Sequence, residues 1–435
     1  MFSLKLLCSA LVAASLGALG PAHAQLGGLQ RLPAVPALPL TPPLEAPRLL
    51  RPLPADALLA PLDLQGLRQR NIDELLRRDR ERFERDPAGE PIRRAELTLY
   101  APDDALLEAA RRLGFAPLRE RTLDGLGTRM VVLGAPPGVS TEAALAQLRR
   151  IDPAAAIDFN HVYTGSGAVD GDAPAAARAS GPSAGAAGGL RVGLIDGAVD
   201  ARHVALRGAD LHLRGCPAAS PPSRHGTAVA SLLVGQAGAF HGVLPQAALY
   251  AADVGCGDAA VDAIADALAW LVRERVPVIN ISLVGPANRT LEQVVRAVQG
   301  RGHVIAAAVG NDGPAAPPLY PAAYPGVVGV TGVDPRRRVL PEALQGPQVL
   351  FAAPGAELAV AGSNGFSAAR GTSFATPLVA GLLALRLREP GTEAAARAIA
   401  ELARDAIDLG APGRDPVYGH GLVGERERID PLALR

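Results

Sequence analysis

The 435-residue chain has few aromatic residues, few cysteines and no excess of charge of either sign. Phe, Trp and Tyr together make up 3% of the residues, which argues against a surface of aromatic rings for stacking single-stranded nucleic acid. Lys plus Arg equals Asp plus Glu at 43 each, so the overall charge gives no reason to expect a nucleic-acid partner. With 3 Cys, the chain is not a small domain held together mainly by disulfides.

The sequence also has no apolar run of membrane-spanning length. The N-terminal run over 6–20 is shorter than the ~20 residues that a transmembrane helix needs. It follows Lys5 and precedes Ala22-His23-Ala24, which fits the small-x-small rule for signal cleavage before Gln25. We expect 1–24 to be a signal peptide, the alternative being a membrane anchor. The mature protein is then exported, periplasmic or extracellular, with no membrane association.

Glycine and proline are abundant, at 48 and 39 residues, and mark two irregular segments. Residues 25–93 are rich in Pro and Arg and predict an extended segment. Its stretch 71–86 has helix formers and opposite charges four residues apart, which predicts a solvated surface helix. Residues 164–189 are mainly Gly, Ala and Ser, a composition typical of a flexible linker and domain boundary.

The region between these segments, 94–163, alternates between strand and helix patterns. The β-α-β-α-β order predicts a small α+β domain, to which two further strands can belong. The patterns are strands at 95–101, 127–136 and 154–163 and helices at 103–115 and 140–151.

From 190 to 430 short apolar strands alternate with helices. This alternation predicts an α/β fold with a mainly parallel sheet covered on both faces. The strand patterns are 190–196, 248–254, 276–283, 303–310 and 326–333, and the helix patterns are 227–234, 259–275 and 289–299. Ligands of such sheets bind at the carboxyl ends of the strands, so polar residues that follow the strands are candidate site residues.

Three such residues supply the groups that nucleophilic acyl transfer needs. Asp196 ends the first strand, His225 precedes Gly226, and Ser373 follows Gly371 at the start of an apolar helix. The chemistry requires a hydroxyl, a base that takes its proton and an acid that orients the base. Taken singly, each also has an ordinary interpretation as a turn residue, a structural histidine or a helix cap.

Asn311 follows the fourth strand and could donate its amide to a developing oxyanion, together with the backbone N–H of Ser373. The alternative is a simple turn residue.

The segments that carry these residues resemble the subtilisin-like (subtilase) serine peptidases over about 190–430. RHGTAVA at 224–230 and RGTSFATPLVAG at 370–381 resemble the family's H-G-T and G-T-S-x-A-x-P motifs, and AVGNDGP at 308–314 resembles its oxyanion segment. The resemblance implies a subtilisin-like three-layer domain. Its triad would be Asp196, His225 and Ser373, with Asn311 as oxyanion donor.

Two segments depart from the family pattern. Asp196-Gly197-Ala198 lacks the hydroxyl that usually follows the Asp, and Val284 stands where the substrate-edge segment commonly has Gly. Because added methyl groups narrow a pocket, we expect a preference for small or medium apolar P1 residues. By resemblance the substrate-binding residues are Ser282, Leu283, Val284, Gly285, Ala308 and Val309.

The resemblance further implies that the 94–163 domain is a propeptide that chaperones folding and occupies the cleft. Self-cleavage is then expected near Tyr163 or within the 164–189 linker. The implied protein is a monomeric, secreted or periplasmic serine endopeptidase, made as a self-processing precursor and acting on proteins or peptides. The alternative is a catalytically silent subtilase-fold binding protein.

Other chemistry lacks support in the sequence. There is no P-loop lysine at 134–141, no G-x-S-x-G around Ser373 and no H-E-x-x-H motif. We expect no required cofactor and no metal site. The family often binds calcium, but we assign no calcium site to this chain. Cys216 and Cys256 predict a disulfide in an oxidising compartment, the alternative being two free thiols.

Overall fold

The computed structural model describes residues 64–165, 167–169, 189–215, 221–255, 258–363 and 365–434. The predicted signal peptide, most of the predicted extended segment and most of the predicted linker lie outside these residues, as do Cys216 and Cys256.

The N-terminal region, residues 64–165, combines helices with an antiparallel sheet. Its elements, with the short strand that follows, are α1 (Leu64–Arg78), β1 (Phe83–Arg85), β2 (Pro91–Tyr100), α2 (Asp104–Arg112), β3 (Ala116–Leu123), β4 (Thr128–Gly134), α3 (Thr141–Ile151), β5 (Ala156–Gly165) and β6 (Ala168–Val169). The strands are ordered β5-β2-β4-β3, and β1 pairs with β2.

The helices of this region pack on the sheet through their apolar faces. Asp103 caps α2 by accepting from the N–H of Leu106, and Ser140 caps α3 by accepting from the N–H of Ala143. Their buried side chains form one cluster with the strands, including Leu97, Leu107, Val131, Leu148 and Ile157. This cluster is the core of the predicted α+β arrangement.

The structure adds two strands that periodicity did not resolve. β3 is mostly exposed, because it is the edge strand beside β4, so its sequence carries little apolar alternation. β1 lies before the boundary predicted at residue 94 and pairs with the start of β2. The charged helix covers Leu64–Arg78 and ends earlier than the stretch at 71–86 suggested.

The C-terminal region, residues 189–434, alternates strands and helices. Its elements are β7 (Arg191–Asp196), β8 (Asp210–Arg214), α4 (Arg224–Val234), β9 (Gln236–Ala237), β10 (Phe240–His241), β11 (Ala248–Asp253), β12 (Ala259–Ala260), α5 (Val261–Arg273), β13 (Val278–Ile281), β14 (Leu283–Val284), α6 (Arg289–Gln299), β15 (Val304–Ala308), β16 (Val328–Val333), β17 (Val349–Pro354), β18 (Leu358–Gly362), β19 (Gly365–Arg370), α7 (Thr372–Arg386) and α8 (Thr392–Asp405).

A parallel sheet of seven strands forms the centre of this region. Its order is β17-β16-β15-β13-β7-β11-β8, and every neighbouring pair is parallel. The side chains of α5 and α6 cover one face, and those of α4, α7 and α8 cover the other. Strands that are buried on both faces need apolar residues throughout, which is why these strands are continuous apolar runs in the sequence. The predicted α/β fold with a mainly parallel sheet is confirmed.

Strand β5 connects the two regions. Its residues Val162 and Tyr163 pair antiparallel with β12, and Thr164 and Gly165 pair antiparallel with β14. β6 then pairs with β19. The start of the predicted linker is therefore paired with strands of the C-terminal region.

Candidate active site

The four candidate residues lie at element ends on the carboxyl side of the parallel sheet. Asp196 is the last residue of β7, and Asn311 follows β15. His225 is in the first turn of α4, and Ser373 is in the first turn of α7. This is the edge at which parallel α/β sheets place their ligands.

Asp196 and His225 form a hydrogen-bonded pair. His225 Nδ1 lies 2.9 Å and 3.0 Å from the two carboxylate oxygens of Asp196, which is 2% exposed. The N–H of Gly197 donates to Asp196 Oδ1 at 2.7 Å. A backbone donor thus supports the carboxylate at the position where the sequence lacks the usual hydroxyl. Only glycine fits at Gly226, because a Cβ there would lie 2.2 Å from the carbonyl oxygen of Gly197.

The carboxylate also sets the chemistry of the imidazole. Burial alone lowers the pKa of His225, but the charge and hydrogen bond of Asp196 outweigh burial, so the net pKa lies above its ordinary value. With Nδ1–H donated to Asp196, Nε2 carries the lone pair. Within the described part of the chain, Nε2 is buried and has no hydrogen-bond partner. The imidazole is therefore arranged as a base with its basic nitrogen unoccupied.

Ser373 is fully buried at the start of α7. Its Oγ donates to the carbonyl oxygen of Ser282 at 3.3 Å, and the Ser282 hydroxyl donates to the carbonyl oxygen of Ser373 at 2.9 Å. The ring of Phe374, the next residue, lies 5.4 Å from the His225 ring. The helix N-terminus adds a positive dipole end beside the hydroxyl.

The amide of Asn311 is oriented by Thr372. Asn311 Oδ1 accepts from the N–H of Thr372 at 3.1 Å, and the Thr372 hydroxyl accepts from the N–H of Gly310 at 3.2 Å. Asn311 Nδ2 is buried and, among the residues described, has no hydrogen-bond partner. A buried donor without an acceptor costs free energy unless a ligand supplies one. Asn311 Nδ2 is thus suited to donate a hydrogen bond to an oxyanion. We call 310–314 the oxyanion loop.

Sequence reasoning did not assign Thr372 or Asn280. The Asn280 amide donates to the Ser282 hydroxyl at 3.0 Å and so continues the hydrogen-bond chain that reaches Ser373. The signal for Thr372 was its place inside G-T-S. Asn280 lies within an apolar strand and had no comparable local signal.

The predicted substrate-edge segment is occupied by the protein's own strand β5. Leu283 aligns with Gly165 and Val284 with Thr164. The ring of Tyr163 lies over Gly285, where a Cβ would be 2.8 Å away, and its hydroxyl donates to the carbonyl oxygen of Pro286 at 2.6 Å. Burial is the main reason that the pKa of Tyr163 is raised well above its ordinary value.

Ala308 and Val309, the other predicted substrate-binding residues, are fully buried at the end of β15. The N–H of Val309 donates to the carbonyl oxygen of Val330 at 3.1 Å. They immediately precede the oxyanion loop.

Two glycines of the described chain flank the candidate centre. A Cβ on Gly165 would lie 3.5 Å from His225 Nε2, and one on Gly167 would lie 2.6 Å from the ring of Phe374. Residue 166, between them, lies outside the described residues. The chain thus contacts the imidazole just before this residue and the neighbour of Ser373 just after it.

The described residues contain no group of three or more His, Cys, Asp or Glu side chains that could hold a metal ion. Within the same residues, every helix is too short or too polar to cross a membrane.

The architecture is that of a subtilisin-like α/β protein. Fervidolysin from Fervidobacterium pennivorans, a keratinolytic enzyme related to subtilisin, superposes with a TM-score of 0.62 at 19% identity, over 79% of this chain and 62% of that chain. At this identity the likeness defines the fold alone.

Sequence comparison defines the family. The model of the subtilase family matches residues 187–421, more than half of the chain, so the protein belongs to the subtilase family of serine peptidases. The minor extracellular protease Epr of Bacillus subtilis (strain 168) is 32% identical over 211 residues, which cover 46% of this chain and 32% of Epr. Subtilisin DY of Bacillus licheniformis is 32% identical over 245 residues, 54% of this chain and 88% of that protein.

Proposed function

We propose that this protein is an exported, monomeric serine endopeptidase made as a self-processing precursor. The observation that carries the proposal is a pair of buried groups, His225 Nε2 and Asn311 Nδ2, that have no partner within the described residues. One is a base and the other a hydrogen-bond donor, and the base lies beside strand β5, where a Cβ on Gly165 would be 3.5 Å from Nε2. This pairing is what acyl transfer to a serine requires.

The proposed mechanism assigns one role to each group of the candidate site. His225 Nε2 takes the proton of Ser373 as its Oγ attacks the carbonyl carbon of the cleaved bond. Asp196 holds the imidazole through Nδ1 and stabilises the imidazolium that forms. Asn311 and the N–H of Ser373 donate to the oxyanion, the protonated imidazole gives its proton to the leaving amine, and water then releases the acyl group.

The N-terminal region acts as propeptide and as the first substrate. Strand β5 binds β12 and β14 as an antiparallel peptide, with Gly165 toward His225 and Gly167 toward Phe374. We infer that self-cleavage breaks one of the two peptide bonds that join residues 165 and 167. After cleavage the N-terminal region stays bound and blocks the cleft until it is removed.

This location supports the linker version of the predicted cleavage site over a cut directly after Tyr163. It also brings a serine, Ser166, next to the cleaved bond. A small residue there agrees with the size, although not with the apolar character, of the P1 residues that Val284 suggests. A peptide library tests the preference, and preferred cleavage after Phe, Tyr or Lys would refute it.

The decisive experiment compares the wild-type protein with Ser373→Ala. The wild type should process itself, digest casein and be labelled at Ser373 by an organophosphonate probe, whereas the variant should remain full length and inactive. N-terminal sequencing of the mature wild type should begin at residue 166 or 167. Folded wild-type protein that neither processes nor reacts with the probe would favour the catalytically silent binding protein.

A further inference from the structure

The charged helix α1 reaches the loop that carries Asn311. Arg68 is only 9% exposed, and its guanidinium donates to both carboxylate oxygens of Glu90. The Nε of Arg68 lies 3.6 Å from Asp312 Oδ2, and Asp312 directly follows Asn311. The helix therefore contacts the oxyanion loop one residue away from the proposed oxyanion donor.

The Arg68 guanidinium thus lies close to two carboxylates, one from each region of the chain. Glu90 belongs to the N-terminal region and Asp312 to the C-terminal region, on opposite sides of the bond that we propose is cut. Their side chains are 16% and 14% exposed, so water screens them poorly. Burial raises the pKa of Asp312 to about 6, although Arg68 acts in the opposite direction. Without Arg68, the two carboxylates would repel one another across the boundary.

The position of Arg68 is fixed by the rest of its segment. Ile72, one turn further along α1, is fully buried. Arg85 of β1 donates to Asp73 at 2.6 Å and to Gln69 at 3.4 Å, which ties the helix to the β1–β2 hairpin. Glu90 directly precedes β2 of the same hairpin. Arg68 is therefore presented to Asp312 by a packed unit of helix and hairpin.

Arg77 of the same helix provides a contrast. Its side chain is 64% exposed and pairs with Glu74 three residues away. An exposed pair of this kind contributes little to stability. Arg77 is thus a matched control for a change at Arg68.

We propose that Arg68 is an autoinhibitory latch, which binds the N-terminal region to the oxyanion loop and must be released before the mature enzyme becomes free. The latch is separate from strand β5 in the cleft, because it comes from a different segment and contacts a different loop. The inference rests on the proposed peptidase function.

The first test uses Arg68→Ala, Glu90→Gln and Arg77→Ala in the full chain. All three positions lie in the part that self-cleavage removes, so every variant yields the same mature enzyme. We follow the lag before peptidase activity appears and normalise activity to active sites titrated with an organophosphonate. Arg68→Ala should shorten the lag about tenfold, the factor that 1.4 kcal/mol produces in an equilibrium.

The other variants make the test specific. Glu90→Gln removes the carboxylate that competes with Asp312 for Arg68. Asp312 can then interact with Arg68 alone, so the lag of this variant should be unchanged or longer. Arg77→Ala should match the wild type. Equal lags for Arg68→Ala and Arg77→Ala at equal active-site concentration would overturn the latch.

A second measurement does not depend on catalysis. In the uncleavable Ser373→Ala precursor, Arg68→Ala should accelerate amide hydrogen exchange in the oxyanion loop, including Gly313, whose N–H donates to the carbonyl oxygen of Glu342. Exchange in β7 should not change. Unaltered exchange in the loop would refute the latch even if the protein is a peptidase. Faster exchange in a chain that proves inactive would refute the peptidase and keep the contact.

Discussion

The amide of Asn311 accepts a hydrogen bond through Oδ1, whereas its Nδ2 has no partner among the residues that the structure describes. Asn311→Asp keeps the acceptor for the N–H of Thr372 but removes the donor, and Asn311→Ala removes both. Both variants should lose about 10²- to 10³-fold in kcat, as loss of one oxyanion donor does in a related enzyme. Steady-state kinetics with a peptide substrate measure the effect, and KM should change little. An unaltered kcat in either variant would contradict the role of Nδ2.

The pair of Asp196 and His225 predicts a dependence on pH. The base must be neutral, and Asp196 raises the pKa of His225, so wild-type activity should be lost as the pH falls through a pKa above the ordinary imidazole value. Asp196→Asn should lower kcat/KM by about 10⁴-fold and shift the acid limb of the profile to lower pH. Asp200→Asn is the control and should keep the wild-type profile. An unshifted limb in Asp196→Asn would count against the pairing.

At this scale, sequence reasoning selected the residues whose neighbours form local motifs. His225 in H-G-T and Ser373 in G-T-S were found in this way, and the structure brings His225 to Asp196. Arg68 was missed, because it lies in the segment predicted to be extended, before the stretch 71–86 that was interpreted as a solvated surface helix. Its contact with Asp312 depends on how distant segments pack. An arginine within a charged helix gives no sequence signal of the distant carboxylate that it will contact.

Strand pairing across the cleft gives a prediction for β5 and β14. A Cβ at position 285 would lie 2.8 Å from the ring of Tyr163, whose hydroxyl is anchored on Pro286. Overpacking of this kind costs about 1–3 kcal/mol, so Gly285→Ala should slow self-cleavage about 5- to 150-fold. Gly208→Ala is the control, because a Cβ there meets nothing within 4 Å. Equal rates of self-cleavage for the two variants, followed on a gel, would show that the ring of Tyr163 moves aside at no cost in free energy.

The predicted disulfide joins Cys216 and Cys256, which lie outside the described residues, and it stays a prediction. Arg214 aligns with Ala252 in the parallel pair of β8 and β11, and Cys216 and Cys256 follow the two strands shortly afterwards in the sequence. A bridge would stabilise the fold by roughly 3–4 kcal/mol in the chain-entropy model. Mass spectrometry after alkylation without reductant should find no label on either cysteine of the mature protein. Two labelled thiols would end the proposal.

The elements themselves were largely predictable. Helix α6 matches its predicted bounds, since Asn288 caps it and its apolar residues recur at helical spacing. β3 and β6 were not predictable, because an exposed edge strand and a two-residue strand lack an apolar pattern of their own. Their existence depends on partners elsewhere in the chain, β4 and β19.

For the molecule as a whole, the boundary between the two regions contains buried contacts between charged and polar side chains. Asp262 at the start of α5 is 1% exposed and accepts from Arg119 at 3.1 Å and from Asn160 at 3.0 Å. Burial alone raises the pKa of Asp262, but Arg119 and Asn160 outweigh it, and the net pKa is lowered. The stability that this contact adds is complete at neutral pH and is lost as the pH falls through the lowered pKa.

Asp262→Asn in the Ser373→Ala precursor tests this electrostatic contact. The variant should lose about 1–3 kcal/mol at neutral pH, because Arg119 loses one of its carboxylate partners, Glu96 being the other. The difference between the two precursors should shrink as the pH falls through the lowered pKa of Asp262, where the wild-type carboxyl becomes protonated as well. Denaturant unfolding at pH 7 and at a series of lower pH values measures this difference. A difference that stays constant with pH would exclude the ionised pair as its source.

This boundary could not be derived from the sequence. The composition identified two regions and a segment between them, but Asp262 read as one acidic residue of a helix and Arg119 as part of an unresolved strand. The register of β5 between β12 and β14 determines which residues of the two regions come into contact. That register depends on the pairing of segments about a hundred residues apart.

The pairing of β6 with β19 has a consequence for what hydrolysis would do to the molecule. A cut between Gly165 and Gly167 would leave the new carboxyl end beside Gly165, which pairs with β14. The new amino end would lie one or two residues before Ala168, which pairs with β19. While both strands stay paired, the two new ends would remain near each other at high effective concentration, and the bond could be re-formed. Cleavage alone would then change the structure very little. Dissociation of one end, rather than bond breaking, would make the event irreversible.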